Sequence, residues 1–236
     1  MSLKFRARSA EEARGGVLDR SGDTRYPRCG VGMSSSGVGA PTIAASAVAG
    51  VRHLLIEENV WADVRAELVR THADAASWID SDLSVDPTKT RWVPVEHHAQ
   101  MMDALFAVAG AARTFDLGRA RGVRTGQAGA FAPVVRSWSR SFGANPAEFL
   151  KLTLHAWSSQ TQNLGEFVLA EARPGHVRFV MKDATRLLTE SPGWQLFLAG
   201  YGTGLLDLVK REGRCDIHRA GPDIECIYTY ESAPLR

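Results

Sequence analysis

The last third of the chain has an order of elements that strongly restricts its fold. Two β-rich runs, Glu166–Arg173 and His176–Lys182, are joined by a Pro-Gly turn, which predicts an antiparallel hairpin. A helix is predicted from Ser191 to near Gly213, and residues 214–231 then form a second hairpin around the turn Ala-Gly-Pro-Asp. Four antiparallel strands with one helix between the pairs predict a sheet that helices cover on one face.

The preceding part of the chain has the 3.6-residue apolar period of helices. Residues 43–55 and 60–68 predict two amphipathic helices, and Asn59 is a suitable N-cap for the second. Pro94 suits a first helical turn because its missing N–H is not needed there. Gly110 is predicted to end the helix that follows Pro94.

Three more helices are predicted before the first hairpin. Residues 115–127 and 131–142 each continue the helical pattern. The third helix begins at Asn145, which can act as a cap, and Pro146 presets its first turn. Glu148 can bond back to the start of this helix, as in a capping box.

The predicted fold class is α+β, arranged as an α/β sandwich. An N-terminal helical half, residues 41–163, precedes a four-stranded antiparallel sheet of two hairpins with a crossing helix, residues 164–232. The two halves are predicted to form one domain, residues 41–236. Residues 1–40 are predicted to be a disordered, basic leader rich in Gly and Ser, since they contain few large apolar residues to offset the entropy of ordering.

The leader raises two further questions. Met33 opens the phrase Met-Ser-Ser-Ser-Gly just before the periodic sequence, so translation could start at Met33 instead of Met1. Residues 1–32 carry seven Lys and Arg against four Asp and Glu, and a basic arm for an anionic partner is the alternative to simple disorder.

Composition excludes several classes of protein. The formal net charge is +2 and its positive excess lies in the leader, which argues against a nucleic-acid binder. No apolar stretch reaches the roughly 20 residues of a membrane span, so no membrane span is predicted. Three cysteines and the absence of a signal-peptide pattern predict a cytoplasmic protein.

The spacing of several motifs resembles a known family. Trp92-Val-Pro94 leads a helix, Gly200, Gly202 and Gly204 punctuate another helix, and the chain closes on Cys226-Ile-Tyr-Thr-Tyr230. Over residues 43–232 this pattern resembles an uncharacterised paralogous family of myxobacteria. That family is similar to four-vinyl-reductase, haem nitric-oxide-binding and Bet3-type domains, which sense ligands or assemble partners. The resemblance implies a sensory or protein-interaction module.

Haem binding would need an axial ligand, for which His98 is the best candidate. His98 shares a predicted helix face with Val95, Met102 and Leu105. However, the haem nitric-oxide-binding relatives carry a Tyr-x-Ser-x-Arg clamp for the propionates, and this string does not occur here. A structural role for His98 is therefore favoured, and we expect no cofactor and no metal.

Two other patterns have simple structural interpretations. Gly200-Tyr-Gly-Thr-Gly204 resembles a phosphate loop but lies within a helical pattern, so close packing of this helix on the sheet or on a second subunit is favoured over nucleotide binding. If Arg219 pairs with Ile224, Cys226 lies opposite Ile217 and diagonal to Cys215. Cys215 and Cys226 are a candidate thiol pair, although two thiols make a poor zinc signature.

An arginine run is the strongest charge feature of the predicted domain. Residues 113–140 contain six arginines and one acid, Asp116. Such a run could bind an acidic protein partner or a phosphate, whereas a solvated helix face is the simpler interpretation. The candidate residues are Arg113, Arg119, Arg121, Arg124, Arg136 and Arg140.

The sequence favours a non-enzymatic cytoplasmic sensor or interaction module. No Gly-x-Ser-x-Gly, His-Glu-x-x-His, Cys-x-x-Cys or Walker motif occurs, so an enzyme such as a tetrapyrrole-modifying reductase lacks a recognisable site. The alternative is a carrier or sensor of an apolar or tetrapyrrole-like molecule, with a cavity between the halves. Plain core is the favoured interpretation of its candidate lining residues, which are Trp138, Phe142, Trp157, Phe167 and Phe179.

Self-association is predicted from the helix over residues 194–209. It carries one apolar stripe through Phe197 and Tyr201 and a second through Leu198, Gly202 and Leu206. A helix on a sheet needs only one stripe, so the second meets another helix of the chain or a partner subunit. We expect a homodimer through this helix.

Overall fold

The computed structural model describes residues 39–80, 91–127 and 146–232. The predicted leader (apart from its last two residues), the helix predicted over residues 131–142, and the Asn145 cap lie outside these residues. Within the described chain, a helical half precedes an antiparallel sheet with a crossing helix, so the predicted α+β class is confirmed.

The described chain contains seven helices and seven strands. The helices are α1 (Ala45–Glu57), α2 (Trp61–Thr71), α3 (Ala73–Asp80), α4 (Val95–Gln127), α5 (Pro146–Gln160), α6 (Arg186–Glu190) and α7 (Pro192–Leu208). The strands are β1 (Thr42–Ala44), β2 (Trp92–Pro94), β3 (Thr161–Gln162), β4 (Glu166–Arg173), β5 (His176–Lys182), β6 (Gly213–Ala220) and β7 (Asp223–Tyr230).

The main sheet has the strand order β4-β5-β7-β6, and every neighbouring pair is antiparallel. The two predicted hairpins are thus joined by pairing of β5 with β7. Arg219 lies opposite Ile224 and Cys226 opposite Ile217, which confirms the predicted register. Alternate residues of β7 are buried because they face the helices, whereas Glu225 on the other face forms an ion pair with Arg178.

A second, small sheet was not predicted. Strands β1, β2 and β3 have two or three residues each and pair in the order β2-β1-β3. Segments this short carry no detectable period, and the helical pattern of residues 43–55 includes the last two residues of β1. The pairing ties the entrance of α1, the entrance of α4 and the end of α5 together.

The prediction that Asn59 caps the N-terminus of α2 is wrong. Asn59 has a φ of 57° and follows the end of α1, where its amide bonds to the Ile56 carbonyl. The Val60 amide bonds to the Leu55 carbonyl. These two bonds form a Schellman motif, and asparagine tolerates the left-handed conformation that it requires. Asn59 therefore terminates α1, and the α2 N-cap position is Val60.

The first half of α4 is hydrogen-bonded to the start of α7. Gly110 interrupts α4 with a φ of 76°, so the helix predicted to end there resumes in a new direction. In the first half of α4, the Asp103 carboxylate accepts hydrogen bonds from the Ser191 hydroxyl (2.8 Å) and the Gly193 amide (2.9 Å). The Ser191 hydroxyl in turn accepts from the Trp194 amide and caps α7. This network fixes the N-terminus of α7 against α4.

Glycines bring the second half of α4 and α7 into backbone contact. A Cβ atom at any of four positions would overlap with a backbone carbonyl of the opposite helix. These glycines are Gly118 and Gly122 in α4 and Gly200 and Gly204 in α7. The close packing predicted for Gly200 and Gly204 exists, but the predicted partner is wrong: these glycines approach α4 of the same chain and neither the sheet nor a second subunit.

The second stripe of α7 is also covered within the chain. A Cβ at Gly202 would overlap with the Cys215 side chain of the sheet, and Leu206 is fully buried. Helix α7 is thus enclosed between α4 and the sheet, which accounts for both apolar stripes without a second subunit. A homodimer stays a prediction, but Gly202 is placed against the chain's own sheet. No helix in the described parts of the chain combines the length and apolarity needed to cross a membrane.

We expect Gly204→Ala to lower the free energy of unfolding by about 1–3 kcal/mol, because the new Cβ overlaps with the Arg119 carbonyl and overpacking outweighs the gain in helix propensity. Urea unfolding followed by circular dichroism measures the change. The matched control is Ala112→Gly at an exposed position of α4, where loss of propensity alone costs about 1 kcal/mol. A stabilising effect of Gly204→Ala would contradict the close contact.

Candidate functional site

A cleft lies between the helices and the inner face of the main sheet. It has an empty volume of about 830 Å³, part of which is open to solvent. Helix α5 contributes one wall through Leu152 and Trp157, and α7 contributes another through Leu198 and Leu205. The floor is made by sheet residues such as Met181. Most of this surface is apolar, as is typical of small-molecule sites.

Aromatic side chains form a continuous row beside the cleft. Ring centroids lie 6.3 Å apart for Trp194 and Trp157, 5.9 Å for Trp157 and Phe167, and 5.8 Å for Phe167 and Phe179. Phe179 meets Tyr228 edge to face at 5.8 Å. Such contacts hold the wall rigid.

The predicted lining residues divide into three groups. Trp157 and Phe167 line the cleft. Phe179 is buried behind Phe167 and belongs to the core. Trp138 and Phe142 lie outside the described residues. Contact of any of these side chains with a ligand stays a prediction.

Few polar side chains interrupt the cleft wall. Thr125 at the end of α4, Thr153 and Gln160 on α5, and Tyr201 on α7 are among its lining residues. The Tyr201 hydroxyl hydrogen-bonds with Thr125, although burial raises the pKa of Tyr201. Sequence reasoning missed Thr125 and Tyr201 as site residues because Tyr201 falls in an apolar helix stripe. Only the contact between α4 and α7 brings the two together.

One member of the thiol pair, Cys226, lines the cleft, and burial keeps both thiols protonated. Cys226 lines the cleft with Tyr228, and Cys215 hydrogen-bonds with Tyr228. Burial raises the pKa of Cys226 to about 12, and burial together with the nearby Cys226 raises the pKa of Cys215 well above its usual value. Thiols are metal ligands and nucleophiles only as thiolates. These conditions favour packing over a metal or redox role for the pair.

Metal ligation also lacks supporting residues. Across residues 39–80, 91–127 and 146–232, no group of three or more His, Cys, Asp and Glu side chains could hold an ion.

Three arginines of the predicted patch are engaged by acids of the same chain. Arg119 pairs with Asp207 through two hydrogen bonds of 2.7 and 2.8 Å. Arg113 pairs with Glu58, and Arg124 pairs with Glu57 and Glu58. Arg136 and Arg140 lie outside the described residues. These pairs reduce the free charge of the run, and its binding to an acidic partner stays a prediction.

Arg121 differs from its neighbours in the run. It makes no ion pair with any described residue, and its guanidinium donates a 2.9 Å hydrogen bond to the Thr125 hydroxyl. Desolvation lowers the pKa of Arg121, an effect that the charge of Arg124 reinforces. Gly50 of α1 leaves room for the guanidinium, since a Cβ at this position would overlap with it. Arg121 is therefore a partly buried cation beside the polar edge of the cleft.

His98 is buried in the core and does not belong to the described lining of the cleft. Its exposed fraction is 6%, and its Nδ1 atom has no hydrogen-bond partner among the described residues. Desolvation, with a smaller contribution from the charge of Arg121, lowers the pKa of His98 to about 4. The imidazole is therefore neutral at physiological pH.

Comparisons with solved structures identify the fold. H-NOX (haem nitric-oxide-binding) proteins match along nearly their whole length. The Fe(II) unliganded H-NOX protein from K. algicida has a TM-score of 0.53 at 9% identity, covering 82% of this chain and 100% of that chain. A mutant of the same protein has a TM-score of 0.52 at 10% identity, covering 81% and 98%. A point variant of Tt H-NOX has a TM-score of 0.51 at 7% identity, covering 82% and 98%.

The chain therefore has an H-NOX-like fold. No protein-family model and no curated protein matches its sequence. At identities of 7 to 10%, the structural likeness extends to the fold alone.

Haem, which this fold can hold in other proteins, does not fit the described cleft residues. No histidine is among the lining side chains, and His98 lies elsewhere in the core. Cys226 and Tyr228 would have to be deprotonated to coordinate haem iron, and the raised pKa values of both side chains keep them protonated. Met181 has a thioether sulfur, which acts as an axial ligand of haem iron when a histidine is the other ligand. The cleft suits an organic ligand better than an iron porphyrin.

We expect His98 to make folding stability depend on pH. The unfolded chain protonates this imidazole near pH 6.5, whereas the folded chain does so only near pH 4. The free energy of unfolding is therefore highest above pH 6.5 and falls by roughly 3 kcal/mol as the pH decreases to about 4. His98→Leu should remove most of this loss in urea unfolding at a series of pH values. The exposed His72→Gln should retain it, and an unchanged pH profile for His98→Leu would contradict the burial of a neutral imidazole.

Proposed function

We propose that this chain is a small-molecule sensor domain of H-NOX-like fold that holds an apolar organic ligand in the cleft. The cleft itself is the observation that supports the proposal. It is partly enclosed, it lies between the helical half and the sheet, and apolar side chains make up most of its wall. Sites for small organic ligands in proteins are typically concave, mostly apolar and equipped with a few polar groups that fix orientation.

Rigid surroundings support binding of a defined ligand. The cleft wall is fixed by the aromatic row from Trp194 to Tyr228 and by the backbone contact of α4 with α7. A wall that keeps its shape loses little conformational entropy when a ligand enters. A structural change on ligand entry is transmitted along α7, because this helix connects the cleft with the hydrogen-bonded junction at Asp103 and Ser191.

The proposed activity is binding without chemical conversion. Cys226, Tyr201 and Tyr228 are the acidic protic groups of the described cleft wall, and burial raises the pKa of each. They are neutral at physiological pH and therefore poor nucleophiles and poor bases. A neutral, low-polarity cleft favours retention of an apolar molecule.

On the sequence pattern, we further propose that the domain belongs to the myxobacterial-type regulatory family and acts in the cytoplasm. The support is the Trp92-Val-Pro94 entrance to α4, the glycine-rich α7 and the closing strand that ends at Tyr230. In the structure these segments are strand β2 with the start of α4, helix α7 and strand β7.

Native mass spectrometry of the chain purified from its own host tests the proposal. We expect a monomer or dimer mass with a stoichiometric organic adduct that is released on denaturation. Chromatography of the released material should give one compound class. Protein that carries no adduct and takes up no apolar compound from a host lipid extract would contradict a ligand-binding role.

We expect Leu152→Trp to remove most of the adduct, because the indole fills space that the ligand needs. The matched control is Ser159→Trp, which adds the same indole at an exposed position of α5. Adduct occupancy of both variants is measured by native mass spectrometry, and circular dichroism checks that both are folded. Full occupancy in folded Leu152→Trp would contradict placement of the ligand in the cleft.

A further inference from the structure

A cation without a counter-ion among the described residues lies behind the polar edge of the cleft; Arg121 is not itself a lining residue but contacts one, Thr125. Arg121 projects from the second half of α4 and donates a 2.9 Å hydrogen bond to the Thr125 hydroxyl. Thr125 lines the cleft, as does Tyr201, whose hydroxyl hydrogen-bonds with Thr125. The guanidinium therefore lies directly behind the polar edge of the cleft wall.

Nearby acids of the chain are already occupied. Glu57 and Glu58 pair with Arg124, and Asp207 pairs with Arg119. The only acid that precedes Arg121 in the second half of α4 is Asp116, and residues 128–145, which follow the helix, contain no Asp or Glu. None of the described acids is within ion-pair distance of Arg121.

Arg121 is partly buried, and an anionic ligand would offset the desolvation that this position imposes on its charge. Arginine has five N–H donors and stays charged in proteins, so removing it from water without an anionic partner is unfavourable. Gly50 nevertheless keeps room for the guanidinium between α1 and α4. The charge of Arg121 contributes to the lowered pKa of His98. This imidazole is uncharged at physiological pH and provides no counter-ion for Arg121.

We propose that the ligand of the cleft is an apolar molecule bearing a carboxylate, and that the carboxylate pairs with Arg121 beside the hydroxyls of Thr125 and Tyr201. The inference rests on the proposed ligand-binding role of the cleft. The apolar body lies against α5 and the sheet, while the carboxylate accepts hydrogen bonds from the guanidinium. A planar guanidinium matches a carboxylate with two parallel N–H···O bonds.

Matched ligands test the charge requirement on the unmutated chain. The probes are decanoate, which has a flexible chain, and mesoporphyrin, which has a rigid ring and carboxylate side chains. Their neutral counterparts are decanol and mesoporphyrin dimethyl ester. Isothermal titration calorimetry should show that at least one carboxylate binds about tenfold or more tightly than its neutral counterpart. The carboxylate that binds more tightly shows whether the apolar body of the ligand is a flexible chain or a rigid ring.

Arginine variants assign the preference to Arg121. Arg121→Met retains a long apolar side chain and should weaken binding of the carboxylate by about tenfold or more, while binding of the neutral counterpart changes little. Arg121→Lys keeps the charge without the planar fork and should give an intermediate affinity. Arg124→Met, on the same helix and in a solvent-exposed ion pair, should leave both affinities unchanged.

The outcomes separate this inference from the proposed function. A neutral counterpart that binds as tightly as its carboxylate, or a folded Arg121→Met that keeps the carboxylate affinity, overturns the role of Arg121 and leaves the cleft as an apolar site. Absence of binding by all four probes overturns the carboxylate ligand, while adduct analysis of the purified chain decides the ligand-binding role separately. If Arg121→Met does not fold, the comparison of carboxylates with neutral counterparts on the unmutated chain still decides the inference.

Discussion

Backbone contact between the second half of α4 and α7 is the constraint on which the rest of the structure depends. Gly118 and Gly122 face α7, and Gly200 and Gly204 face α4, so the two helices approach without intervening side chains. This contact places Thr125 beside Tyr201, and Gly202 on another face of α7 allows the close approach of the helix to the sheet. The cleft lies between α5, α7 and the sheet, and Thr125 at the end of α4 contributes to its wall.

The electrostatics of the cleft follow from the same packing. Burial keeps Cys226, Tyr201 and Tyr228 protonated, so the wall is neutral and apolar. Arg121 lies behind this wall, where it is hydrogen-bonded to the lining residue Thr125 and has no acid among the described residues as an ion-pair partner. A neutral wall with one cation behind its polar edge favours molecules with an apolar body and an anionic end.

The sequence contains much of the fold but little of the site. Both hairpins, the register of Cys226 opposite Ile217 and the Ser191 cap of α7 follow from local patterns of alternation, turns and capping. The small sheet was missed because its strands are too short to have a period. Asn59 was misassigned, since asparagine suits both a helix start and a left-handed helix end. Arg121 could not be distinguished from its neighbours, because ion pairing depends on helices far apart in sequence.

A crystal structure of the chain with decanoate, or with mesoporphyrin if that probe binds more tightly, tests the central claim most directly. The account predicts the ligand carboxylate within about 3 Å of the Arg121 guanidinium. It also predicts the apolar body in contact with Leu152 and Met181 in the cleft. A ligand carboxylate that points into solvent while Arg121 pairs with an acid of the chain, or a ligand bound outside the cleft, would contradict the account.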